Sequence, residues 1–101
     1  MGRNPRRKPK RLAEKLTQVR KELDLSQNEM ISRLGLADEL RQSHISAFES
    51  GAREPSLFVL LRYARVAGVT MEALVDDTLD LPKRLPARPD QQRIMKRLKL
   101  S

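Results

Sequence analysis

Cysteine is absent from this 101-residue chain, which removes disulfides, thiolate metal sites and cysteine nucleophiles together and fits a reducing compartment. A single histidine, His44, is too few for a His-rich metal site, and no Gly-rich phosphate loop, HExxH pattern or nucleophile elbow accompanies it. Neither catalysis nor a bound cofactor or metal is expected. The aromatic residues are Phe48, Phe58 and Tyr63, and with Phe48 needed inside they leave no stacking platform for single-stranded nucleic acid. No apolar run long enough for a secretory leader or a membrane span follows the basic N-terminus, so the expected compartment is the cytoplasm, with no membrane partner.

What the chain does have is positive charge. The net value of +8 suggests a polyanionic partner, although a polybasic tail would also suit an anionic membrane. Its distribution is more telling than its total. Residues 1–11 carry Arg3, Arg6, Arg7, Lys8, Lys10 and Arg11 without an acid, residues 12–78 are net acidic, and residues 79–101 are basic again. The field belongs to the two ends, and the body must make any nucleic-acid contact by local geometry. The length allows one domain with one core and leaves little room for a second.

Three segments emerge along the chain. Residues 1–11, with Pro5, Pro9 and six cations, cannot bury apolar surface and read as a flexible basic arm. From Leu12 the spacing of Leu12, Leu16, Val19 and Leu23 lines one face of a first helix. Ser26 with Glu29 makes a capping box, and Leu25 with Met30 a hydrophobic staple, so a second helix starts at Gln27; Met30, Ile31 and Leu34 give its stripe and Gly35 its end. Residues 36–42 are either a long turn or an early start to a third helix capped by Asp38. Ile45 and Phe48 form a narrow apolar stripe on that helix, opposite Gln42, Ser43, Ser46, Ala47 and Ser50, and Gly51 closes it.

Ser56 caps a fourth helix whose expected stripe is Leu57, Leu60, Leu61, Ala64 and Ala67, ending at Gly68. Thr70 caps a fifth, with Met71, Leu74 and Val75 inward. The body thus spans residues 12–78. Residues 79–101 form a Pro-rich tail, with Pro82, Pro86 and Pro89 breaking regular structure before a short amphipathic stretch carrying Ile94, Met95 and Leu98. The tail is open between a dimer clasp, a partner-binding helix and a frayed end.

Five short helices, the second and third joined by a turn and the third polar on one side, describe an all-α helix-turn-helix domain. The run Leu25-Ser26-Gln27, Leu34-Gly35, Ile45-Ser46, Glu49-Ser50-Gly51, Pro55-Ser56, Leu60-Leu61, Ala64 and Ala67-Gly68-Val69 resembles the Xre/Cro family of bacterial and phage repressors over about residues 12–77. The resemblance implies a lambda-repressor-like fold, double-stranded DNA as the partner, a homodimer, and a transcriptional repressor acting by operator occupancy. An antitoxin on the same scaffold, binding a small toxin and regulating its own gene, is the alternative. One departure stands out: nine residues separate Gly35 from Ile45, where about five are usual in the family.

The residue roles follow from the chemistry of the grooves. Gln42 pairs bidentately with adenine, Ser43 and Ser46 serve either base type, and the Ala47 methyl suits a thymine methyl; these four are the expected base readers. Gln27, at the start of the second helix, is the expected phosphate grip, with Ser50, Arg53 and Arg41 as further phosphate contacts. Arm residues Arg3, Arg6, Arg7 and Lys8 would add a sequence-blind, salt-dependent contribution, a solvated tail being the plainer reading. The resemblance also implies an ion pair between Arg20 and Glu49 that holds the reading helix without reading. His44 is expected to pack or to face water.

Overall fold

A computed structural model of the chain describes residues 8–86. Five α-helices make up this region, α1 Leu12–Glu22, α2 Gln27–Leu34, α3 Gln42–Ser50, α4 Leu57–Ala67 and α5 Met71–Val75, with no strand among the described residues. The architecture is all-α.

Each boundary has a local cause. Ser26 accepts the Glu29 N–H while the Glu29 carboxylate accepts the Ser26 N–H, so the capping box before α2 is complete at both ends. Ser56 and Thr70 accept from the third residue of α4 and α5 in the same way. Gly35 and Gly51 end α2 and α3 at φ +74° and +82°, a conformation that costs most side chains about 1 kcal/mol or more. α1 stops without a glycine: Asp24 takes φ +60°, its N–H on the Lys21 carbonyl and that of Leu25 on the Arg20 carbonyl.

The core draws on every helix. Leu16 and Val19 from α1, Met30 and Leu34 from α2, Ile45 and Phe48 from α3, Tyr63 and Ala67 from α4 and Leu74 from α5 are buried in one cluster. α1 packs on α3, α4 and α5, while α2 packs on α3 and α4, which makes α1 and α4 the frame that carries the α2–α3 pair. Leu81 and Leu85, beyond the last helix, are also buried in this cluster. Their segment has no regular structure, yet its leucines extend the core.

The expected stripe of α4 needs correction. Leu57 is 75% exposed and Leu61 only partly covered, whereas Val59 and Tyr63 are buried beside Leu60, Ala64 and Ala67. On a helical wheel Leu57 and Leu61 lie about 60° and 100° to one side of Leu60, and Tyr63 and Val59 about as far to the other. Bringing the large Tyr63 ring inside turns the helix away from the leucine side. The α2–α3 question also resolves: α3 begins at Gln42, and residues 36–41 are a turn pinned by buried Leu36 and half-buried Leu40. Asp38 is exposed within this turn and caps no helix.

Among the described residues, one charged side chain lies wholly inside. Lys15 falls on the apolar face of α1 and is fully buried, its Nζ donating to the carbonyls of Ala73 and Asp76, both at 2.8 Å. These acceptors lie at the C-terminal end of α5, where helix carbonyls lack intrahelical donors and a cation complements the dipole. Removing the ammonium while keeping the stem, as in Lys15→Met, strands two buried carbonyls and should cost about 2 to 4 kcal/mol, read by urea unfolding.

Three carboxylates near the surface, exposed Glu29 and half-buried Asp76 and Asp77, sit below their ordinary pKa range. Backbone N–H donation does this at Glu29 (from Ser26) and at Asp77 (from Lys10 and Arg11), and the Thr78 hydroxyl does it at Asp76. Each folded-state pKa lies below the unfolded one, so each contribution is present above about pH 4 and disappears as the pH falls through the folded values. Thermal unfolding from pH 6 down to pH 2 should show stability declining on the acid side, and Asp77→Asn should flatten that decline.

Candidate nucleic-acid interface

α3 is held by its apolar stripe and presents the rest. Ile45 and Phe48 are buried, Gln42, Ser43, Ser46 and Ser50 are exposed, and Ala47 is half-covered between them. The four residues expected to read bases therefore lie along the uncovered side of one helix. Its N-terminus is closed by a bond the sequence reading missed. The Arg41 N–H donates to Nδ1 of His44 at 2.9 Å, so the imidazole does here what the glutamate of a capping box does elsewhere. The signal was available, since His44 is the third residue of α3.

A chain of polar contacts links this helix to the frame. Arg20 Nε donates to Glu49 Oε2 at 2.7 Å and its Nη2 to Oε1 at 3.0 Å, while Nη1 donates to the Leu25 carbonyl at 2.9 Å. Gln27 Nε2 donates to Glu49 Oε1 at 3.3 Å, and Gln42 Nε2 donates to Gln27 Oε1 at 3.1 Å. The guanidinium of α1 thus fixes the carboxylate of α3, the carboxylate orients the amide of α2, and that amide orients Gln42. With one amide hydrogen used on Gln27, Gln42 keeps a second N–H and its carbonyl oxygen, a donor beside an acceptor. The electrostatics agree with the geometry: hydrogen bonding to Glu49 raises the Arg20 pKa above its ordinary value against the opposing effect of burial.

Tyr63 lies under this chain. Its hydroxyl is buried without a hydrogen-bond partner, and burial first, then the Glu49 charge, pushes its pKa far above the usual tyrosine value. It remains a neutral phenol that fills space beneath the ion pair.

The other expected contacts divide by what they already hold. Arg41 and Arg53 are exposed at the two ends of α3. The Ser50 hydroxyl donates to the Ala47 carbonyl at 3.2 Å and accepts the Ala52 N–H at 3.3 Å, so it shapes the turn after α3. The N–H groups of Gln27 and Asn28 open α2 and bond to no described residue, whereas Glu29 and Ser26 use theirs in the capping box. Lys8 is exposed beside the loop after α3, while Arg3, Arg6 and Arg7 lie outside the described residues.

A helix-turn-helix family model, HTH_3, matches residues 10–74, which is more than half of the chain. The chain belongs to the Xre-like helix-turn-helix family. A chain of a solved SinR protein–SinI protein complex is similar in fold, with a TM-score of 0.56 and 22% identity over 87% of this chain and 78% of that one. No curated protein matches. The family assignment makes this chain a DNA-binding transcriptional regulator. Among the described residues no helix is long and apolar enough to cross a membrane.

The side chains of Arg20 and Glu49 are only 16% and 8% exposed, so removing either leaves a largely desolvated partner. Glu49→Ala should cost about 3 kcal/mol in chemical denaturation. The double change Arg20→Met with Glu49→Ala should cost clearly less than the sum of the two single changes.

Proposed function

We propose that the protein is an operator-binding repressor that reads double-stranded DNA in the major groove with the exposed face of α3. The observation that carries this reading is the orientation of Gln42 by Gln27, Glu49 and Arg20, which pre-sets a donor and an acceptor at the start of the reading helix. An amide so held matches adenine N6 and N7, and pre-orientation removes part of the rotamer entropy that recognition would otherwise cost. Ser43 and Ser46 follow on the same face, with Ala47 beside them as a surface for a thymine methyl.

The phosphate contacts assigned to this reading lie around that face. Gln27 with the opening N–H groups of α2 takes one strand, Arg41 and Arg53 flank α3, and Lys8 with the arm cations Arg3, Arg6 and Arg7 adds a salt-dependent contribution. The Ser50 side chain supports the loop, and its contribution to phosphate binding is positional. Repression follows from occupying a promoter in the cytoplasm, with two copies presenting their α3 helices to successive major grooves about 34 Å apart. No chemistry beyond binding is required. A second reading, capture of a small protein partner such as a toxin, is favoured by one observation: the solved neighbour of this fold is described as a complex with a second protein. Co-purification of a defined small protein at fixed stoichiometry would support it.

Selection from random duplexes, followed by footprinting, should return a two-fold symmetric site with half-sites one helical turn apart. On that site Gln42→Ala should lose about 1 to 3 kcal/mol and relax the preference at one or two base pairs, with unchanged binding to mixed-sequence DNA. An equal loss on both DNAs would move Gln42 from the bases to the backbone.

A further inference from the structure

α1 begins without a side-chain cap of its own: Arg11 occupies the N-cap position, and no side-chain hydrogen bond closes it locally. The cap comes from the far end of the fold. Asp77, just beyond α5, accepts the Lys10 N–H on Oδ2 at 2.9 Å and the Arg11 N–H on Oδ1 at 3.0 Å. A carboxylate at a helix N-terminus meets both the unpaired donors and the positive end of the dipole.

The same segment consumes the Arg11 side chain. Its Nη2 pairs with Asp80 at 2.7 Å, Nη1 donates to the Asp77 and Leu79 carbonyls at 3.1 and 3.3 Å, and Nε reaches Glu14 at 3.4 Å. Arg11 was counted with the arm cations, yet its guanidinium is engaged by residues 77–80 and by Glu14. The last cations before it are differently placed. Lys8, Lys10 and Arg53 line a cleft of about 200 Å³ together with Leu12, Phe48 and Glu54. This cleft adjoins the loop that follows the reading helix.

We propose that Asp77 is a positioning residue for the basic arm, anchoring its root at Lys10 and Arg11 so that Lys8 and Lys10 stand beside Arg53 as one binding cleft for a DNA backbone phosphate. The inference rests on the DNA-binding reading above and adds to it the element that aims the arm. A basic segment that is free at its root loses conformational entropy when it settles on DNA, whereas a segment fixed at its root has already lost part of it. Asp77 thus acts through the arm, although its negative charge alone would oppose DNA.

The sign of that opposition makes the test decisive. Asp77→Glu keeps the charge but displaces the carboxylate by a methylene, and Asp77→Ala removes both charge and cap. Each is placed in the full chain and in a chain lacking residues 2–7 with Lys8→Ala and Lys10→Ala, all confirmed folded by circular dichroism at the working temperature. Amide hydrogen exchange should show protection of Lys10 and Arg11 with Asp77 and its loss in both variants. Binding to a short mixed-sequence duplex at low ionic strength should weaken roughly fivefold in both variants of the full chain and stay within about twofold in the armless chain. Equal losses in both backgrounds would make Asp77 a support of the fold alone, and tighter binding by Asp77→Ala with Asp77→Glu unchanged would make it only a repelling charge; either overturns the proposal. A parent chain that binds no duplex overturns the DNA reading together with its phosphate cleft, whereas firm binding indifferent to Asp77 overturns the positioning role alone.

Discussion

The ion pair between Arg20 and Glu49 is the constraint on which the interface depends. It joins the first helix to the third at a place where both side chains are largely withdrawn from water, and such a pair tolerates little displacement because either charge alone would be stranded. Its second consequence is orientation. Glu49 also receives the Gln27 amide, and Gln27 in turn receives Gln42, so a buried charge pair sets the direction of an exposed side chain two hydrogen bonds away. Neutral amides at a surface would otherwise sample several rotamers and present no fixed pattern of donor and acceptor. The stability of this domain and the orientation of Gln42 therefore share one cause.

A second electrostatic device works at the opposite end of the same helix. α1 carries Lys15 into the core against the last carbonyls of α5, and receives at its own N-terminus the Asp77 carboxylate that follows α5. Both contacts satisfy helix termini that would otherwise hold unpaired backbone groups. They also close the chain on itself, since the residues that enter the domain and those that leave it meet at Arg11, Asp77 and Asp80. The net acidity of the body, read from sequence as a handicap for binding DNA, is partly explained by this use. Within the body Asp77 is occupied by the backbone N–H groups of Lys10 and Arg11, and Asp80, just past it, pairs with the Arg11 guanidinium.

Much of this was legible in the residues because helix ends are local events. Ser26 with Glu29, Ser56, Thr70, Gly35, Gly51 and Gly68 each signal a boundary within a few positions, and the structure has those boundaries. What could not be read depends on long-range partners. Lys15 falls on the apolar face of α1 between Leu12 and Leu16, and its charge concealed it; only the arrival of the α5 carbonyls makes its burial affordable. The fourth helix offered two overlapping stripes, and the choice between Leu57 and Tyr63 turns on the space beneath the ion pair. The Gln27–Gln42 bond joins side chains fifteen residues apart across a turn whose shape the sequence left open.

That turn bears on how far a change in its length can disturb the helix that follows. Seven residues, 35–41, separate α2 from α3, and the surplus over the usual family spacing left open a long turn or an early start to the third helix. The structure absorbs it elsewhere. Leu36 is buried directly after Gly35 and its carbonyl receives the N–H groups of Glu39 and Leu40, so the added residues close a small turn of their own and leave Ala37, Asp38 and Glu39 in solvent. The placement of α3 is then decided by Ile45 and Phe48 in the core and by Glu49 on Arg20, none of which lies in the turn. Because these contacts act from within α3, the length of the preceding turn is free to vary, and the helix keeps its seat.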